Sequence, residues 1–430
     1  MEESPSRVID IQQLRKGMFV QLDLGWMEHP FALNSFKIVT DEQLQTLRGL
    51  GLRQIRYFPD KSDAAATVPG DEASPPDGGP RGASSAAQPG LDPLLRPQLA
   101  SLLEAQERSL LQCERSFLEA TRQFRRVAEL VRPQPEDARA VSERLVSRCI
   151  GEMLSNGESV IRLLSEGAGE RNAMHSVNVM VICLLLGKTL GMEGDDLTQL
   201  GMAALLHDLG KMELPDRVRF YDEYLCAAEL KVYQEHVGHS LAFGRQMGLA
   251  PVALDAIGQH HEMVDGSGFP RQLKMDALSP AGKILGLVNR YDNLCNPARA
   301  AMALTPHEAL SVIFAQMKLR FDSVALGAFI RMMGIYPPGS VVQLVNDCFA
   351  LVVSVNSSRP LRPKVIVYEP RVPKEEALVL DLENTPELGI RRSLKPVQLP
   401  KAALDYLSPR QRICYFFERA VDPQPPEDTS

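Results

Sequence analysis

The chain has 430 residues, enough for two or three domains, and its 44% of hydrophobic residues is typical of a globular protein. Its net charge of −7 argues against general attraction to polymeric nucleic acid or to an anionic membrane surface. Seven cysteines without a CxxC spacing, no apolar run behind the acidic start and no stretch of about 18 apolar residues predict a cytoplasmic protein without disulfides, signal peptide or transmembrane helix.

Residues 1–62 are predicted to form a small α+β module. Strand-like sequences at 18–22 and 53–57 flank a short helix over 41–50, which Thr40 is placed to cap. Residues 63–96 are rich in Ala, Gly, Pro and Ser, and this composition predicts a flexible linker.

Residues 97–157 are predicted to form a helical stalk. One helix runs to about residue 131, Pro133 and Pro135 interrupt the pattern, and a second helix continues to about Leu154. The apolar stripe of the first helix consists of Leu99, Leu102, Leu103, Leu110, Phe117 and Phe124. Packing of this stripe against the next domain is the preferred interpretation, and the seam of a homodimer is the alternative.

The two remaining regions differ in pattern. Residues 158–336 are helical almost throughout, whereas residues 337–430 become β-branched, with strands predicted at 341–345, 350–355 and 364–368. The predicted fold class is therefore mainly α: a helical domain with a small α+β N-terminal module and a small β C-terminal extension.

Histidines are concentrated in the helical region. Six of the eight lie between residues 175 and 261: His175, His207, His236, His239, His260 and His261. Imidazole and carboxylate groups at several separate positions in the sequence suit a hydrolytic site with more than one metal. His239 and His307 are interpreted as ordinary surface or helix residues.

An adjacent His207-Asp208 pair at the end of an apolar helix has a clear chemical use. The Asp can bridge two cations while the His binds one of them, and two metals about 3.5–4 Å apart can share a hydroxide and hold a phosphodiester. Lys211 is placed to assist the leaving oxygen, and Gly266 and Gly268 permit a tight turn beside the metals.

Two segments carry a family resemblance. His207-Asp208-Leu209-Gly210-Lys211 and the run from His260-His261-Glu262 to Gly268-Phe269-Pro270 resemble the two signatures of the HD-GYP family. Members of this family are bacterial phosphodiesterases of the HD superfamily that hydrolyse cyclic di-GMP. The resemblance covers about 171–335 and implies an all-helical HD-type catalytic domain, and residues 7–60 resemble a small domain that often precedes it.

The resemblance also implies site residues and cofactors. The implied metal ligands are His175, His207, Asp208, His236, His260, His261 and Asn289. Asp208 and Lys211 are the implied catalytic residues, and the implied substrate-binding residues are Lys211, Asp265, Gly266, Gly268 and Arg299. Two divalent transition metals are expected; iron or manganese suits the ligands best, and zinc is also compatible.

The sequence departs from the family pattern at several positions. Asn289 stands where the family has its last metal-binding Asp, so one metal would have a neutral oxygen ligand. Arg171 stands where members with three metals have a Glu, so a third metal is not expected. Phe269 replaces the Tyr of the GYP signature, and the basic segment after the last signature helix is reduced to Arg299.

The resemblance implies a metal-dependent phosphodiesterase that converts cyclic di-GMP to pGpG, GMP or both through a hydroxide bridging the metals. The alternative is a degenerate HD-GYP domain that senses cyclic di-GMP or docks onto a diguanylate cyclase or another signalling protein, which Asn289 and the thin basic segment favour. A third hypothesis is an HD-superfamily hydrolase that acts on another nucleotide.

Overall fold

A computed structural model of the chain describes residues 6–22, 35–49, 52–63, 95–154, 159–165, 171–221, 224–356, 362–385 and 388–419. Most of the predicted linker, residues 64–94, lies outside these ranges. The helices are α1 Asp41–Gly49, α2 Leu95–Leu130, α3 Pro135–Leu154, α4 Arg171–Thr189, α5 Gly194–Leu206, α6 Ala227–Gln246, α7 Pro251–Gln259, α8 Pro280–Cys295, α9 Pro306–Gln316, α10 Ser323–Met333 and α11 Lys401–Leu407. This content confirms the mainly α fold class.

The strands form two antiparallel sheets. They are β1 Arg7–Asp10, β2 Phe19–Gln21, β3 Ser35–Lys37, β4 Gln54–Phe58, β5 Ser159–Leu163, β6 Val341–Leu344, β7 Phe349–Asn356, β8 Lys364–Val367, β9 Val379–Asp381, β10 Ile390–Leu394 and β11 Tyr415–Arg419. The first sheet has the order β1-β4-β2-β3; the second has the path β10-β6-β7-β5-β11, with β8 paired to β7 and β9 to β8.

The N-terminal module has a small hydrophobic core of its own. Met18, Val20, Leu47 and Tyr57 are among its fully buried members. The predicted cap is confirmed, because the Thr40 hydroxyl accepts the backbone N–H of Gln43 at 3.1 Å. Strands β2 and β4 correspond to the two predicted strands. Strands β1 and β3 were not predicted, and they form the two edges of the same sheet.

The stalk packs on the body of the protein, as preferred from its apolar stripe. Phe117 and Phe124 are buried in the large core, and the Phe117 ring meets the ring of Phe416 with centroids 6.4 Å apart. The Cys113 thiol donates to the Phe417 carbonyl at 3.2 Å. The predicted stripe is wrong at its start, since Leu102 is 51% exposed.

The prediction that residues 158–336 are helical almost throughout misses a strand at the start of this region. Residues 159–163 form β5, which lies between β7 and β11 of the C-terminal sheet. Helices α2–α10 and this sheet contribute to one continuous hydrophobic core. Helix α4 has 14 buried residues and runs through that core, which gives the site described below a rigid support.

Candidate metal centre

Four helices bring the predicted histidines to one place. His175 lies in the first turns of α4 and His236 lies within α6, while His207-Asp208 and His260-His261 directly follow the apolar helices α5 and α7. The donor atoms form two groups, and within each group they lie within 4.8 Å of one another. One group is Asp208, His236, His260 and His261, and the other is His175, His207 and Asp208.

The imidazoles of this cluster face one another through Nε2. The Nε2–Nε2 distance is 3.2 Å between His175 and His207, 3.3 Å between His236 and His260, and 3.2 Å between His236 and His261. Two nitrogens bound at about 2.1 Å to one metal would lie roughly 3.0–3.4 Å apart for bond angles between octahedral and tetrahedral. The observed spacings fall in this range.

The opposite ring nitrogens determine the tautomers. The Nδ1 partners are Ala204 O for His207 at 2.8 Å, Ile257 O for His260 at 2.6 Å, Tyr233 O for His236, and Asp292 Oδ2 for His175 at 2.6 Å. A carbonyl or carboxylate oxygen accepts, so each Nδ1 must carry the proton. In neutral rings, the Nε2 lone pairs then point at one another without a hydrogen between them, which only a cation can stabilise.

Asp208 is shared by both groups. Its Oδ2 lies 3.2 Å from Nε2 of His175 and 3.4 Å from Nε2 of His207, and its Oδ1 lies 3.5 Å from Nε2 of His236. Oδ1 is buried and has no hydrogen-bond donor among the described residues. A buried carboxylate oxygen without a donor is costly unless it binds a metal, so the donor set fits divalent cations bridged by Asp208.

The protonation states suit metal binding, which requires neutral imidazoles and an ionised carboxylate. Burial lowers the pKa of His207 to about 4 and holds the pKa of His236 and His261 well below the usual value. Burial alone would raise the pKa of Asp208, but Lys211, His207 and His175 together outweigh burial and hold this pKa well below its usual range.

His175 differs from the other ligand candidates. Burial alone would lower its pKa, but its hydrogen bonds to Asp208 and Asp292 outweigh burial and raise the pKa to about 9. The ring is therefore held between two carboxylates. A metal at Nε2 would take the place of the second proton.

Lys211 is a buried cation beside the cluster. Its Nζ lies 2.5 Å from Asp208 Oδ2 and 5.6 Å from the centroid of the Tyr233 ring. Burial would lower the pKa of Lys211, but Asp208 and Tyr233 together outweigh burial and raise it, so the side chain stays charged. The short turn Leu209–Glu213 holds it there, and Gly210 in that turn leaves room only for a hydrogen against the backbone of His236.

Comparison with known proteins agrees with this geometry. Residues 158–324 match the family described as an HD domain, and residues 6–140 match a domain of unknown function, DUF3391. The chain is 26% identical over 375 residues to the cyclic di-GMP phosphodiesterase PA4108 of Pseudomonas aeruginosa, covering 84% of each chain. Residues 158–324 are therefore an HD domain, and the similarities to cyclic di-GMP phosphodiesterases support an HD-GYP phosphodiesterase.

Other relatives match a smaller part of the chain. The cyclic di-GMP phosphodiesterase response regulator RpfG of Xanthomonas campestris is 31% identical over 149 residues, which is 34% of this chain and 39% of RpfG. The 3'3'-cGAMP-specific phosphodiesterase 3 of Vibrio cholerae is 28% identical over 167 residues, 38% of this chain and 36% of that relative. The solved structure of Bd1817, a HDG"Y"P protein from Bdellovibrio bacteriovorus, has a TM-score of 0.44 and 14% identity, covering 76% of this chain and 98% of that one.

Helix α8 presents two buried polar residues three positions apart, Asn289 and Asp292. The Asn289 amide oxygen accepts a hydrogen bond from Asn293 at 2.6 Å, and its role as a metal ligand stays a prediction. Asp292 accepts from Asn178 and from Asn296, the latter at 3.0 Å, and its other oxygen holds His175. Sequence reasoning missed this supporting role, although Asp292 is on the same helix face as Asn289.

The glycine turn of the HD-GYP signature supports the histidine pair. Gly268 packs against the backbone of His261, Glu262 and Met263, where a Cβ would overlap. Gly266 has φ +82°, and the Phe269 ring stacks on His261 with centroids 4.4 Å apart.

The Asp265 carboxylate accepts from Ser267 N at 2.9 Å and from Ser267 Oγ at 2.6 Å. These contacts show Asp265 stabilising its own turn. Substrate binding by Asp265, Gly266 and Gly268 stays a prediction.

The centre opens into a pocket. Arg171, His175, Asp208, Lys211 and Arg412 contribute to its lining. Arg299 lies in an adjacent pocket that Arg171 also lines, with its guanidinium 4.4 Å above the Tyr224 ring, and its role in substrate binding stays a prediction. Across the described ranges, no helix combines the length and apolar character that crossing a bilayer requires.

Proposed function

We propose that this HD-GYP protein is a metal-dependent phosphodiesterase that hydrolyses cyclic di-GMP. The observation that carries the proposal is the convergence of the imidazole Nε2 atoms around Asp208, whose Oδ1 is buried without a donor. The names of PA4108 and RpfG, both cyclic di-GMP phosphodiesterases, support the substrate class. The 3'3'-cGAMP-specific relative makes that hybrid dinucleotide the comparison substrate.

The two donor groups would each hold one divalent metal. His175 and His207 would hold one metal, and His236, His260 and His261 would hold the other, with Asp208 available to both. When bound, such metals lower the pKa of a water and neutralise charge that develops at phosphorus. The mixture of imidazole and carboxylate donors suits iron or manganese and is compatible with zinc.

The chain's own residues prepare the phosphodiester for cleavage. Asp292 fixes the orientation of the His175 ring through Nδ1, which keeps Nε2 directed at the cluster. Lys211 stays protonated in a buried position, so its ammonium is available to a phosphate oxygen or to the leaving oxygen. Because this charge already has its place before substrate arrives, its stabilisation of the transition state needs little reorganisation.

The product would be the linear dinucleotide pGpG, GMP or both, depending on whether the centre accepts the linear dinucleotide as a second substrate. Chromatography of a time course distinguishes these outcomes.

Metal analysis of anaerobically purified protein, run beside a turnover assay with cyclic di-GMP and 3'3'-cGAMP, tests the proposal. We expect about two transition metals per chain and hydrolysis of cyclic di-GMP; in His207→Ala hydrolysis should be lost and metal content should fall. Protein that holds no metal, takes none up on reconstitution and cleaves neither dinucleotide would overturn it.

A second candidate function is a degenerate module that binds cyclic di-GMP without cleaving it, either as a sensor or while docking onto a diguanylate cyclase. The neutral Asn289, whose amide oxygen is already bonded to Asn293, favours this candidate. Tight binding of cyclic di-GMP without turnover in metal-loaded protein would support the module over the enzyme.

A further inference from the structure

Two arginines from distant parts of the chain meet at the pocket beside the metal centre. Arg171 begins α4, and Arg412 lies in the segment between α11 and β11 of the C-terminal extension. We propose that Arg171 and Arg412 form a subsite for the second, uncleaved phosphate of a cyclic dinucleotide. The inference rests on the proposed function and adds a specificity element from outside the two signatures.

Arg171 is placed by the same helix that carries His175. The two residues are four positions apart, so their side chains lie on one helix face. The Arg171 guanidinium lies 4.4 Å above the Phe220 ring and donates to the Asn296 carbonyl at 3.1 Å. These contacts hold the charge at the mouth of the pocket.

Arg412 is placed by a rigid backbone. The next residue, Ile413, donates its N–H to the Asn296 side-chain oxygen at 2.8 Å, and its carbonyl accepts from Asn296 at 2.9 Å and from Asn178 at 3.2 Å. The Tyr415 N–H donates to the Asn178 side-chain oxygen at 2.8 Å. The segment is therefore fixed to α4 and α8, and the exposed Arg412 side chain lies at the pocket edge.

The two arginines line the same pocket. Burial lowers the pKa of Arg171 and repulsion by Arg412 adds to the effect, while the Asp292 carboxylate acts in the opposite direction. Among the described residues, no carboxylate is within ion-pair distance of the guanidinium of Arg171 or of Arg412. The acidic residues nearby, Glu229 and Asp216, pair instead with Arg217 and Arg219. Two like charges beside an open pocket are stabilised by an anion between them.

The chemistry of the substrate identifies that anion. A cyclic dinucleotide carries two phosphodiesters on opposite sides of its ring, and only one can occupy the buried centre at Asp208 and Lys211. The other must lie toward the pocket mouth, where Arg171 and Arg412 are. Guanidinium groups bind phosphate oxygens in a forked geometry that lysine cannot reproduce.

The test uses full-length Arg412→Gln, Arg412→Lys and Arg171→Gln, with Arg392→Gln as the matched control. Arg392 is an exposed arginine of the same extension that lies on β10, outside the pocket. Turnover is measured with cyclic di-GMP and with bis(p-nitrophenyl) phosphate, which has a single phosphate. Cyclic di-GMP binding is also measured by calorimetry with metal-free protein, so that one readout does not depend on the loaded enzyme.

For Arg412→Gln we expect KM for cyclic di-GMP to rise about tenfold and affinity to fall about tenfold, as for one lost charge-assisted hydrogen bond. KM for bis(p-nitrophenyl) phosphate should stay close to the wild-type value, since only the dinucleotide reaches the subsite. The ratio of the two KM values should therefore change about tenfold. Arg412→Lys should be intermediate, Arg171→Gln should resemble Arg412→Gln, and the Arg392 variant should match wild type.

The outcomes separate this inference from the proposed function. Unchanged KM and affinity in both arginine variants, or equal changes for both substrates, would overturn the subsite while hydrolysis stands. Wild-type protein that binds but does not cleave cyclic di-GMP, with binding weakened by Arg412→Gln, would support the subsite and overturn the enzyme. Wild-type protein that neither binds nor cleaves it would overturn both.

Discussion

At the scale of single residues, Asp208 connects the two halves of the cluster. Asp208→Asn keeps the size of the side chain but removes the charge that would bridge two metals, so we expect metal content to fall to one or none and turnover to drop by at least about a hundredfold. Elemental analysis and a cyclic di-GMP assay measure both effects. His239→Gln is the control, since His239 is on the same helix as His236 but outside both groups. Full metal content in Asp208→Asn would contradict the bridging role.

Asp292 supports the site through another residue. It holds Nδ1 of His175 at 2.6 Å, and loss of such a partner typically costs about 10–100-fold in metal affinity or activity. Asp292→Asn should therefore weaken metal binding by that amount without changing the stoichiometry at saturating metal, as measured by competition with a chelating dye. A stoichiometry lowered by one metal would instead identify Asp292 as a ligand.

Replacing Asn289 with Asp is expected to strengthen metal binding rather than weaken it. A carboxylate at this position would add a charged ligand, so Asn289→Asp should raise metal occupancy and preserve or increase turnover. In a degenerate module, the same change could create activity where there was none. Metal content and hydrolysis, compared side by side with wild type, are the measurements. No change in either quantity would show that position 289 is not a ligand.

The sequence predicted the candidate metal ligands well, but it predicted less well the residues that hydrogen-bond and orient those ligands. The spacing of His207-Asp208 and His260-His261 predicted residues that the structure brings into two donor groups sharing Asp208, with the donor atoms of each group within 4.8 Å of one another. Asn289 and Asp292 occupy the same face of α8, so the sequence alone could not tell which would contact His175. That choice depends on how α8 packs against α4, which is a tertiary property.

At the scale of elements, the turn after α7 is shaped by close backbone contact. A methyl group at Gly268 would overlap backbone atoms of Glu262 and Met263, so Gly268→Ala should destabilise the fold by about 1–3 kcal/mol and disturb His261. Gly258→Ala is the control: its Cβ would lie 3.5 Å from Leu241, an ordinary contact, and alanine suits a helix interior better by roughly 0.5–1 kcal/mol. Thermal unfolding of both variants measures the difference. Equal midpoints would show that the turn is loosely packed.

Element prediction failed where pairing is non-local. In residues 159–163 the alternation of polar and apolar side chains is too short to indicate a strand. These residues pair with β7 and β11, which begin at residues 349 and 415, far along the chain. The C-terminal strands from β6 to β8 were predicted because they are consecutive and β-branched. The sequence could not show that β5 would join them, since a strand with few local partners gains its stability only from the assembled sheet.

At the scale of the whole molecule, the C-terminal extension is coupled to the metal centre. Asn178 and Asn296 each bond both the backbone of the extension and Asp292, which in turn holds His175. The Tyr415 hydroxyl donates to the Pro338 carbonyl at 2.9 Å and meets the Tyr291 hydroxyl at 3.2 Å inside the same core. The extension is thus part of the support of the site, whereas the N-terminal module has a separate core.

Two truncations test this difference in coupling. Removal of residues 409–430 deletes β11 and takes away the backbone N–H donors that the side-chain oxygens of Asn178 and Asn296 accept from, at a cost of about 1–3 kcal/mol for each unsatisfied group. We expect that protein to lose bound metal and most of its thermal stability. Removal of residues 1–94 keeps the stalk and the large core, so metal content, turnover and the main unfolding midpoint should stay close to those of the full chain.

Calorimetry and elemental analysis of both proteins provide the comparison, and Tyr415→Phe serves as a milder variant of the first. That variant loses one buried hydrogen-bonding group and should be destabilised by about 1 kcal/mol while it keeps its metals, because the asparagine contacts survive. If the 409–430 truncation retained its metals, the network from Ile413 through Asp292 to His175 would not support the site. If removal of residues 1–94 released them, the module would contribute to the centre through contacts beyond its own core.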